Sequence, residues 1–419
     1  MAQSLAPAWP GRATYARSVT LLPPIPATVD PELLGQEAAD LAAAGGLTFY
    51  VDDETFTYWV DGTSVRCEIG KDTGTTAVRM SRRSWDDLVG QMTTFVGLLL
   101  RGELHFDKGG FDQLSAWEPV LRYLHAGIPP YEPSRADFAG RDPAAAFGAD
   151  TDDAELAAQL RTMGYLHIKG VFSADEMAAA NDEIDRLAAL ARPGDDQSWW
   201  VTNEDGSSAL CRLVYASLRS SLLAGMDSDP RVRRLGELLG PDVKIAPDRM
   251  EGTCVLIKVP GKTSGLSNIP WHQDCGTGGH AMFCPAVSVG IQLTGSDATT
   301  GNLQMVPGSH GTTLRYGWQD RLDDVQVVSI DTEPGDVTVH IQDVMHASPR
   351  PTGPGQRRTM YVTHYPPALW DHIGPGQALN DLVRNRTEQV ADLQRASSDA
   401  FGATASQGSG SSTHEAPRT

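Results

Sequence analysis

The sequence predicts a mainly β fold of the α+β type, in which a sandwich or barrel of short strands follows a small α+β unit. Between residues 253 and 365, short apolar runs are separated by turns containing Gly and Pro, with no long helices between them. This pattern is typical of sandwiches and barrels. At 419 residues the chain also exceeds one typical hydrophobic core, so we expect two units. Strands of the second unit are predicted at 253–259, 286–293, 303–306, 325–330, 336–341 and 360–365.

The first unit is predicted over residues 30–131, after an extended lead-in over residues 1–29 that is rich in Pro and Ala. Apolar side chains alternate over 56–60 and again over 65–69, with an Asp-Gly turn between them, which predicts a β-hairpin. The remaining predicted elements are a strand at 77–80, a helix from Ser84, a strand at 104–106 and a helix over 111–124.

A linker over residues 132–152 precedes the second unit, which is predicted over residues 153–380. This unit opens with a helix that ends at Gly164 and a strand over 165–170. A further helix begins at Ser173, where the spacing to Glu176 predicts a capping box. Residues 381–419 are predicted to be helical at first and then disordered, because their end is rich in Ser, Gly and Thr.

Charge and composition exclude several classes of partner. The net charge of −19 disfavours nucleic acid and anionic membrane surfaces, because both carry negative charge themselves. The sequence shows no apolar run of the length of a membrane span and no signal-peptide pattern, so we expect a cytoplasmic protein. The five cysteines are scattered without a CxxC pair, which predicts neither a disulfide framework nor a zinc site.

The segment Trp271-His272-Gln273-Asp274 predicts a metal centre. On an extended strand, His272 and Asp274 would point to the same side, since residues i and i+2 share a face. His346 is the third candidate ligand, arriving from a distant strand. Two histidines and one carboxylate that leave other positions open form the facial triad of non-haem Fe(II) oxygenases.

The surrounding motifs resemble the phytanoyl-CoA dioxygenase family, whose members use Fe(II) and 2-oxoglutarate. The resemblance extends from about residue 151 to residue 365 and rests on the ordered segments 271–274, 301–310, 335–336, 346–348 and 357–359. It implies a double-stranded β-helix (jelly roll) flanked by helices, with catalytic Fe(II) on His272, Asp274 and His346. It further implies 2-oxoglutarate and O₂ as co-substrates, and hydroxylation of an apolar small molecule with release of succinate and CO₂. The retained Asp274 favours hydroxylation over halogenation, because related halogenases replace this carboxylate with a small residue.

Other histidines compete with His346 as the distal ligand. His310 follows Pro-Gly-Ser in a turn motif, His340 lies six residues before His346, and His364 lies on the last predicted strand. We favour His346, because only this residue has the His-x-Ser context and an arginine at the distance that the resemblance implies. His167 lies in a strand without a partner motif and is interpreted as structural.

The far carboxylate of 2-oxoglutarate requires a fixed cation, for which the fork of an arginine is well suited. The family resemblance implies an arginine near residue 357 or 358, and the seven-residue spacing to Tyr365 favours Arg358. Because adjacent strand residues face opposite ways, only one of the two arginines can serve. Further candidate co-substrate contacts are the Ser348 hydroxyl, Lys258 and Gln292.

The order of strands and helices over residues 30–131 resembles a sterol-carrier-protein-2-like domain. Such domains enclose an apolar tunnel for lipid, and the resemblance rests on that order and on Asp61, Gly62, Trp85 and Gly102. The alternative is a small structural domain with a filled core. For the whole chain, the alternatives to an oxygenase are a lipid carrier with an inactive jelly roll and a metal-dependent isomerase or hydrolase. The sequence leaves the oligomeric state open.

Overall fold

A computed structural model describes residues 27–28, 41, 43–61, 64–202, 207–240, 242–248, 250–260, 268–277, 286–313 and 325–367. The predictions for most of the lead-in, for the tail beyond residue 380 and for Cys284 lie outside these residues. None of the helices in the described ranges has the length and apolar content that crossing a bilayer requires.

The first unit is a six-stranded sheet in the order β1-β4-β3-β2-β5-β6. Its strands are β1 (Ala27–Thr28), β2 (Leu47–Val51), β3 (Glu54–Asp61), β4 (Ser64–Ile69), β5 (Thr76–Met80) and β6 (Leu104–Lys108). The predicted hairpin is confirmed, since β3 and β4 are antiparallel with Tyr58 opposite Cys67. The central strand β2, which runs parallel to β5, was not predicted.

Among the residues that the structure describes in full elements, the helices on this sheet are α1 (Arg82–Val89), α2 (Phe95–Arg101) and α3 (Phe111–Ala126). Between helices and sheet lies an aromatic cluster in which the ring centroids of Phe49 and Trp85 are 4.9 Å apart and those of Phe56 and Trp85 are 5.0 Å apart. Tyr58 and Phe95 are equally buried there. These large aromatic side chains pack against each other, which favours the filled core over an apolar tunnel.

The second unit contains two further sheets. The large one runs β7-β8-β17-β14-β19-β12-β10-β9 with β11 beside β19, and the small one runs β13-β18-β15-β16. The strands of the large sheet are β7 (Ala146–Gly148), β8 (Tyr165–Lys169), β9 (Ser198–Thr202), β10 (Ser208–Leu213), β11 (Lys244–Ile245), β12 (Cys254–Lys258), β14 (Val287–Gln292), β17 (Val337–Ile341) and β19 (Arg357–Tyr365). The strands of the small sheet are β13 (Ile269–His272), β15 (Leu303–Met305), β16 (Val328–Ile330) and β18 (His346–Ser348).

The large sheet buries one face against helices and turns the other toward the small sheet. The helices are α4 (Asp153–Met163), α5 (Ala174–Leu190), α6 (Ser221–Asp227) and α7 (Pro230–Gly236), followed by the short α8 (Asp274–Thr277). Val289, Val339 and Val362 belong to the core shared with these helices. Since strand residues alternate between faces, the intervening positions face the space between the sheets. This arrangement agrees with the predicted jelly roll.

Helix-capping residues explain where the first two helices of this unit end and begin. Helix α4 ends at Gly164, which adopts a left-handed conformation with φ of +84°. The predicted capping box at the start of α5 is confirmed, with Ser173 and Glu176 each bonding the other's backbone N–H.

Candidate active site

The small sheet brings the three predicted iron ligands together. His272 ends β13 and lies directly opposite His346, the first residue of β18, in the antiparallel register. The Asp274 carboxylate is 3.2 Å from His272 Nε2 and 3.7 Å from His346 Nε2. One ligand atom from each residue lies within 4.8 Å of the other two. Such a cluster is compact enough for a single ion to bind all three.

Asp274 reaches this cluster by a different route from the predicted one. Strand β13 ends at His272, and Asp274 is the first residue of helix α8, so the two residues do not alternate along one strand. The intervening Gln273 donates its side-chain N–H to the carbonyl of Asp343 at 2.5 Å. The turn held by this hydrogen bond, and not strand alternation, directs both ligands to one point.

The protonation states of the ligands suit a divalent cation. His346 Nδ1 lies 2.9 Å from the carbonyl oxygen of Val344, which only accepts, so Nδ1 carries the proton and Nε2 keeps a free lone pair. Burial, helped by the charge of His272, lowers the pKa of His346 to about 3. Burial alone would raise the pKa of Asp274, but the surrounding imidazoles hold it well below its usual value. Two imidazoles and one carboxylate match the donor set of a facial Fe(II) site.

His340 is a fourth imidazole at this site. It lies on β17 in the large sheet, with Nε2 3.4 Å from Asp274 Oδ2 and its ring 4.8 Å from that of His346. It faces the second oxygen of the carboxylate, whereas His272 and His346 both approach the first. This geometry assigns His340 to positioning Asp274.

The other three histidines considered from the sequence, His310, His364 and His167, lie elsewhere. His310 Nε2 is 2.9 Å from the Arg161 carbonyl. His364 lies on the helix-facing side of β19, next to Gly236. His167 is hydrogen-bonded to Asp336 at 2.9 Å, in agreement with the predicted structural role.

Of the two adjacent arginines, Arg357 faces the site and Arg358 does not. Arg358 extends to the helix layer, where it pairs with Asp185 at 2.6 Å and lies 3.3 Å from the Asn181 side chain. Arg357 is buried on the inner face of β19, the face that also carries Tyr361 and Tyr365. The choice of Arg358 from spacing is therefore corrected to Arg357, because odd-numbered residues of this strand point inward.

Arg357, Ser348 and Lys258 form a buried cationic cluster. Arg357 Nη1 donates to Ser348 Oγ and to the Gly301 carbonyl, both at 2.8 Å. Lys258 Nζ donates to Ser348 Oγ and to the carbonyls of Ser348 and Pro349, all at 2.6 Å. Burial, with a smaller contribution from Arg357, lowers the pKa of Lys258 to about 6.

This cluster fits an anionic ligand. Arg357 Nε is buried without a hydrogen-bond partner, and no described carboxylate lies within ion-pair distance of either cation. A buried guanidinium without a counter-charge is costly, and a carboxylate would supply that charge and favour the protonated form of Lys258. The position of Ser348, two residues after the ligand His346, puts this anion site next to the metal centre.

Gln292, the fourth predicted co-substrate contact, is fully engaged within the sheet. Its amide nitrogen donates to Thr338 Oγ1 and its oxygen accepts from Thr359 Oγ1, both at 3.1 Å. Its side chain is therefore assigned a structural role, and the prediction of a co-substrate contact is corrected.

A cavity between the two sheets contains the metal ligands and a polar wall that the sequence did not reveal. Arg212 of β10 and Glu251 before β12 pair across it. The wall continues with hydroxyl and amide side chains at Ser288, Gln342, Thr363 and Tyr365. No sequence signal marks these positions, because they become neighbours only when β10, β12, β14 and β19 pair.

The matched family model covers the same region. Residues 160–359 match the model of the phytanoyl-CoA dioxygenase (PhyH) family, and this range contains all three metal ligands, Lys258, Ser348 and both arginines. The part of the chain that is similar to this family therefore contains the whole candidate site.

Curated relatives are ectoine dioxygenases. The chain is 30% identical over 183 residues to that of Stutzerimonas stutzeri (strain A1501), covering 40% of this chain and 55% of the relative. It is 32% identical over 156 residues to that of Streptomyces anulatus, covering 36% and 49%. The chain thus spans about half the length of the curated relatives it matches. Among solved structures, EctD from S. alaskensis with bound Fe is similar, with 22% identity, coverage of 57% and 84%, and a TM-score of 0.44.

Proposed function

We propose that this protein is an Fe(II)- and 2-oxoglutarate-dependent dioxygenase that hydroxylates a small molecule and releases succinate and CO₂. One observation carries the proposal: Ser348 lines the same cavity as the His272, Asp274 and His346 cluster and is hydrogen-bonded to the buried cationic side chains of Arg357 and Lys258. The second anion site favours this proposal over a metal-dependent isomerase or hydrolase that uses no 2-oxoglutarate.

Each group has a role in this proposal. His272, Asp274 and His346 hold the iron, which when bound supplies the redox chemistry with O₂. His340 fixes the Asp274 carboxylate through its second oxygen. Arg357 binds the far carboxylate of 2-oxoglutarate, Ser348 orients the arginine, and Lys258 adds a second positive charge when it is protonated. The surrounding sheets exclude water from the buried part of this site.

The substrate proposed from sequence was apolar, and the cavity wall does not support that choice. Arg212, Glu251, Gln342 and Thr363 all line the cavity that contains the metal ligands. The curated relatives are named for ectoine, which makes ectoine the first compound to test. We also propose the domain limits 30–131 and 153–380. In this proposal the first unit has the structural role of supporting the second.

The test is succinate formation by the purified full chain with Fe(II), 2-oxoglutarate and O₂, with and without ectoine. We expect slow succinate formation alone and faster formation with a true substrate, and none in Asp274→Ala. Equal succinate formation by the wild type and Asp274→Ala would contradict the proposal and favour an inactive, carrier-type protein.

A further inference from the structure

An ion pair lines the cavity and has no role in the iron or co-substrate chemistry. Arg212 donates through Nη2 to Glu251 and lies 3.1 Å from Cys254 Sγ. Its guanidinium stacks over the ring of Trp199, 5.3 Å from the centroid. About four-fifths of each side chain is buried, since the exposed fractions are 20% for Arg212 and 15% for Glu251. The pair is therefore held in place, with both charges at the cavity wall.

Two polar atoms on the same wall lack partners. Arg212 Nε, a donor, and Gln342 Oε1, an acceptor, are buried without a hydrogen bond. The amide nitrogen of Gln342 is occupied by Ser288 Oγ at 3.1 Å and Tyr365 Oη at 3.3 Å, which fixes the orientation of the orphaned oxygen. Leaving such atoms unsatisfied costs about 1–3 kcal/mol each. Both residues line the cavity that contains the metal ligands, so one donor and one acceptor lie unpaired beside it.

These features discriminate between classes of ligand. An apolar molecule would leave both atoms unsatisfied and would desolvate the ion pair. A molecule with only a negative charge would meet Glu251, and one with only a positive charge would meet Arg212. A molecule with both charges satisfies Arg212 with its anion and Glu251 with its cation.

We propose that the cavity binds a small zwitterion whose carboxylate meets Arg212 and whose protonated nitrogen meets Glu251. Reaction of this ligand rests on the proposed oxygenase function, whereas its binding does not. The orphaned Gln342 oxygen then accepts a hydrogen bond from the same cationic end or from a neighbouring N–H.

Binding of four five-membered-ring probes to the full chain tests this proposal. L-Proline carries both charges, pyrrolidine only the positive one, cyclopentanecarboxylate only the negative one, and cyclopentanol neither. Calorimetry without oxygen, in the presence of Fe(II) and 2-oxoglutarate, gives each dissociation constant. We expect L-proline to bind at least about tenfold more tightly than each of the others, a difference of about 1.4 kcal/mol.

Two variants and a matched control make the result specific. Arg212→Gln should remove the preference over pyrrolidine, and Glu251→Gln should remove the preference over cyclopentanecarboxylate. Arg231→Gln breaks a comparable pair with Glu176 between helices α5 and α7 and should leave all four constants unchanged. Circular dichroism checks that each variant is folded.

Tight binding of any single-charge or neutral probe, failure of all four to bind, or an unchanged preference in both cavity variants would overturn the proposal. Failure of the oxygenase function looks different: L-proline binding would follow the expected variant pattern while 2-oxoglutarate yields no succinate.

Discussion

The chemistry of the anion site depends on a few atoms around Ser348. Its hydroxyl accepts from both Arg357 and Lys258 and donates to the Gly301 carbonyl at 2.8 Å. Because the hydroxyl is already fully bonded, it orients the two cations and leaves the orphaned Arg357 Nε for a ligand. Specificity for a carboxylate therefore lies mainly with the arginine.

Substituting each arginine in turn tests whether the inward-facing Arg357 or the outward-facing Arg358 binds 2-oxoglutarate. Arg357→Gln removes the charge facing the site and should weaken 2-oxoglutarate binding about 30-fold or more, since a charge-assisted pair contributes about 2–5 kcal/mol. Arg358→Gln loses its pair with Asp185, whose side chain is 62% exposed, and its hydrogen bonds to Asn181 and Gln356, all on the helix side of the sheet, and should change the constant less than about threefold. Calorimetric titration of both variants with 2-oxoglutarate measures the two dissociation constants. The opposite ranking would restore Arg358 as the anchor.

The lowered pKa of Lys258 predicts that binding of 2-oxoglutarate is coupled to proton uptake. Its folded pKa of about 6 lies below the ordinary 10.5, so at pH 7.5 the folded apoprotein binds fewer protons here than the unfolded chain. This penalty on folding is greatest below the folded pKa, decreases as the pH rises between the two pKa values and disappears above the higher one. A bound carboxylate favours the charged ammonium, so co-substrate binding at pH 7.5 should take up about one proton.

Calorimetry in two buffers of different ionisation enthalpy measures that uptake. Lys258→Met should abolish it and should also stabilise the apoprotein at pH 7.5. The exposed Lys108→Met, which loses only a surface pair with Asp72, should behave as the wild type. Equal proton uptake by Lys258→Met and the wild type would exclude Lys258 as the titrating group.

The strands and helices were largely predictable, and the exceptions have physical causes. The predicted hairpin formed because Phe56, Tyr58 and Cys67 alternate with polar residues. Strand β2 was not predicted because it is a central strand whose residues are nearly all buried, so its sequence does not alternate between apolar and polar residues. Even the polar Thr48 is buried, with a hydrogen bond between its hydroxyl and that of Thr57 at 2.8 Å. Strand β19 was recognised, but its inner face follows from sheet packing, which a single sequence does not specify.

The turn at Gly301 supports the anion site through its backbone. Its φ is +75°, and an added Cβ would lie 2.1 Å from the Pro349 carbonyl and 3.0 Å from Lys258 Nζ. Gly301→Ala should therefore cost about 1–3 kcal/mol of stability and also weaken 2-oxoglutarate binding. Gly311→Ala is the control, because its φ is +69° but an added Cβ meets nothing within 4 Å. Urea denaturation and co-substrate titration measure both effects; equal co-substrate affinity in both variants would contradict the account.

At the scale of the whole molecule, the first unit supports the metal centre. Helix α2 packs against α8, the helix that begins with Asp274. Tyr131 donates its hydroxyl to the Pro307 carbonyl at 3.3 Å, and its ring belongs to an apolar cluster with Val306 and Met345. These contacts were not predictable, because the sequence showed two units without showing which surfaces meet.

Arg122 tests the coupling of the two units. It is buried on α3, where burial lowers its pKa to about 10 against the opposing charges of Glu118 and of Asp343 from the second unit. Arg122→Met leaves both carboxyl groups buried without this cation and should cost about 3 kcal/mol or more. Arg79→Met, which breaks an exposed pair with Asp107, should cost less than about 1 kcal/mol. Similar urea midpoints for the two variants would mean that the units are independent at this contact.

The most direct test of the central claim is the stoichiometry of Fe(II) binding to the full chain under anaerobic conditions. We predict one Fe(II) per chain for the wild type and for His340→Ala, whose imidazole faces the second oxygen of Asp274. His272→Ala, Asp274→Ala and His346→Ala should each lose the site, because each removes one of three converging ligand atoms. One tightly bound Fe(II) in His346→Ala, with none in His340→Ala, would contradict this assignment of the metal centre.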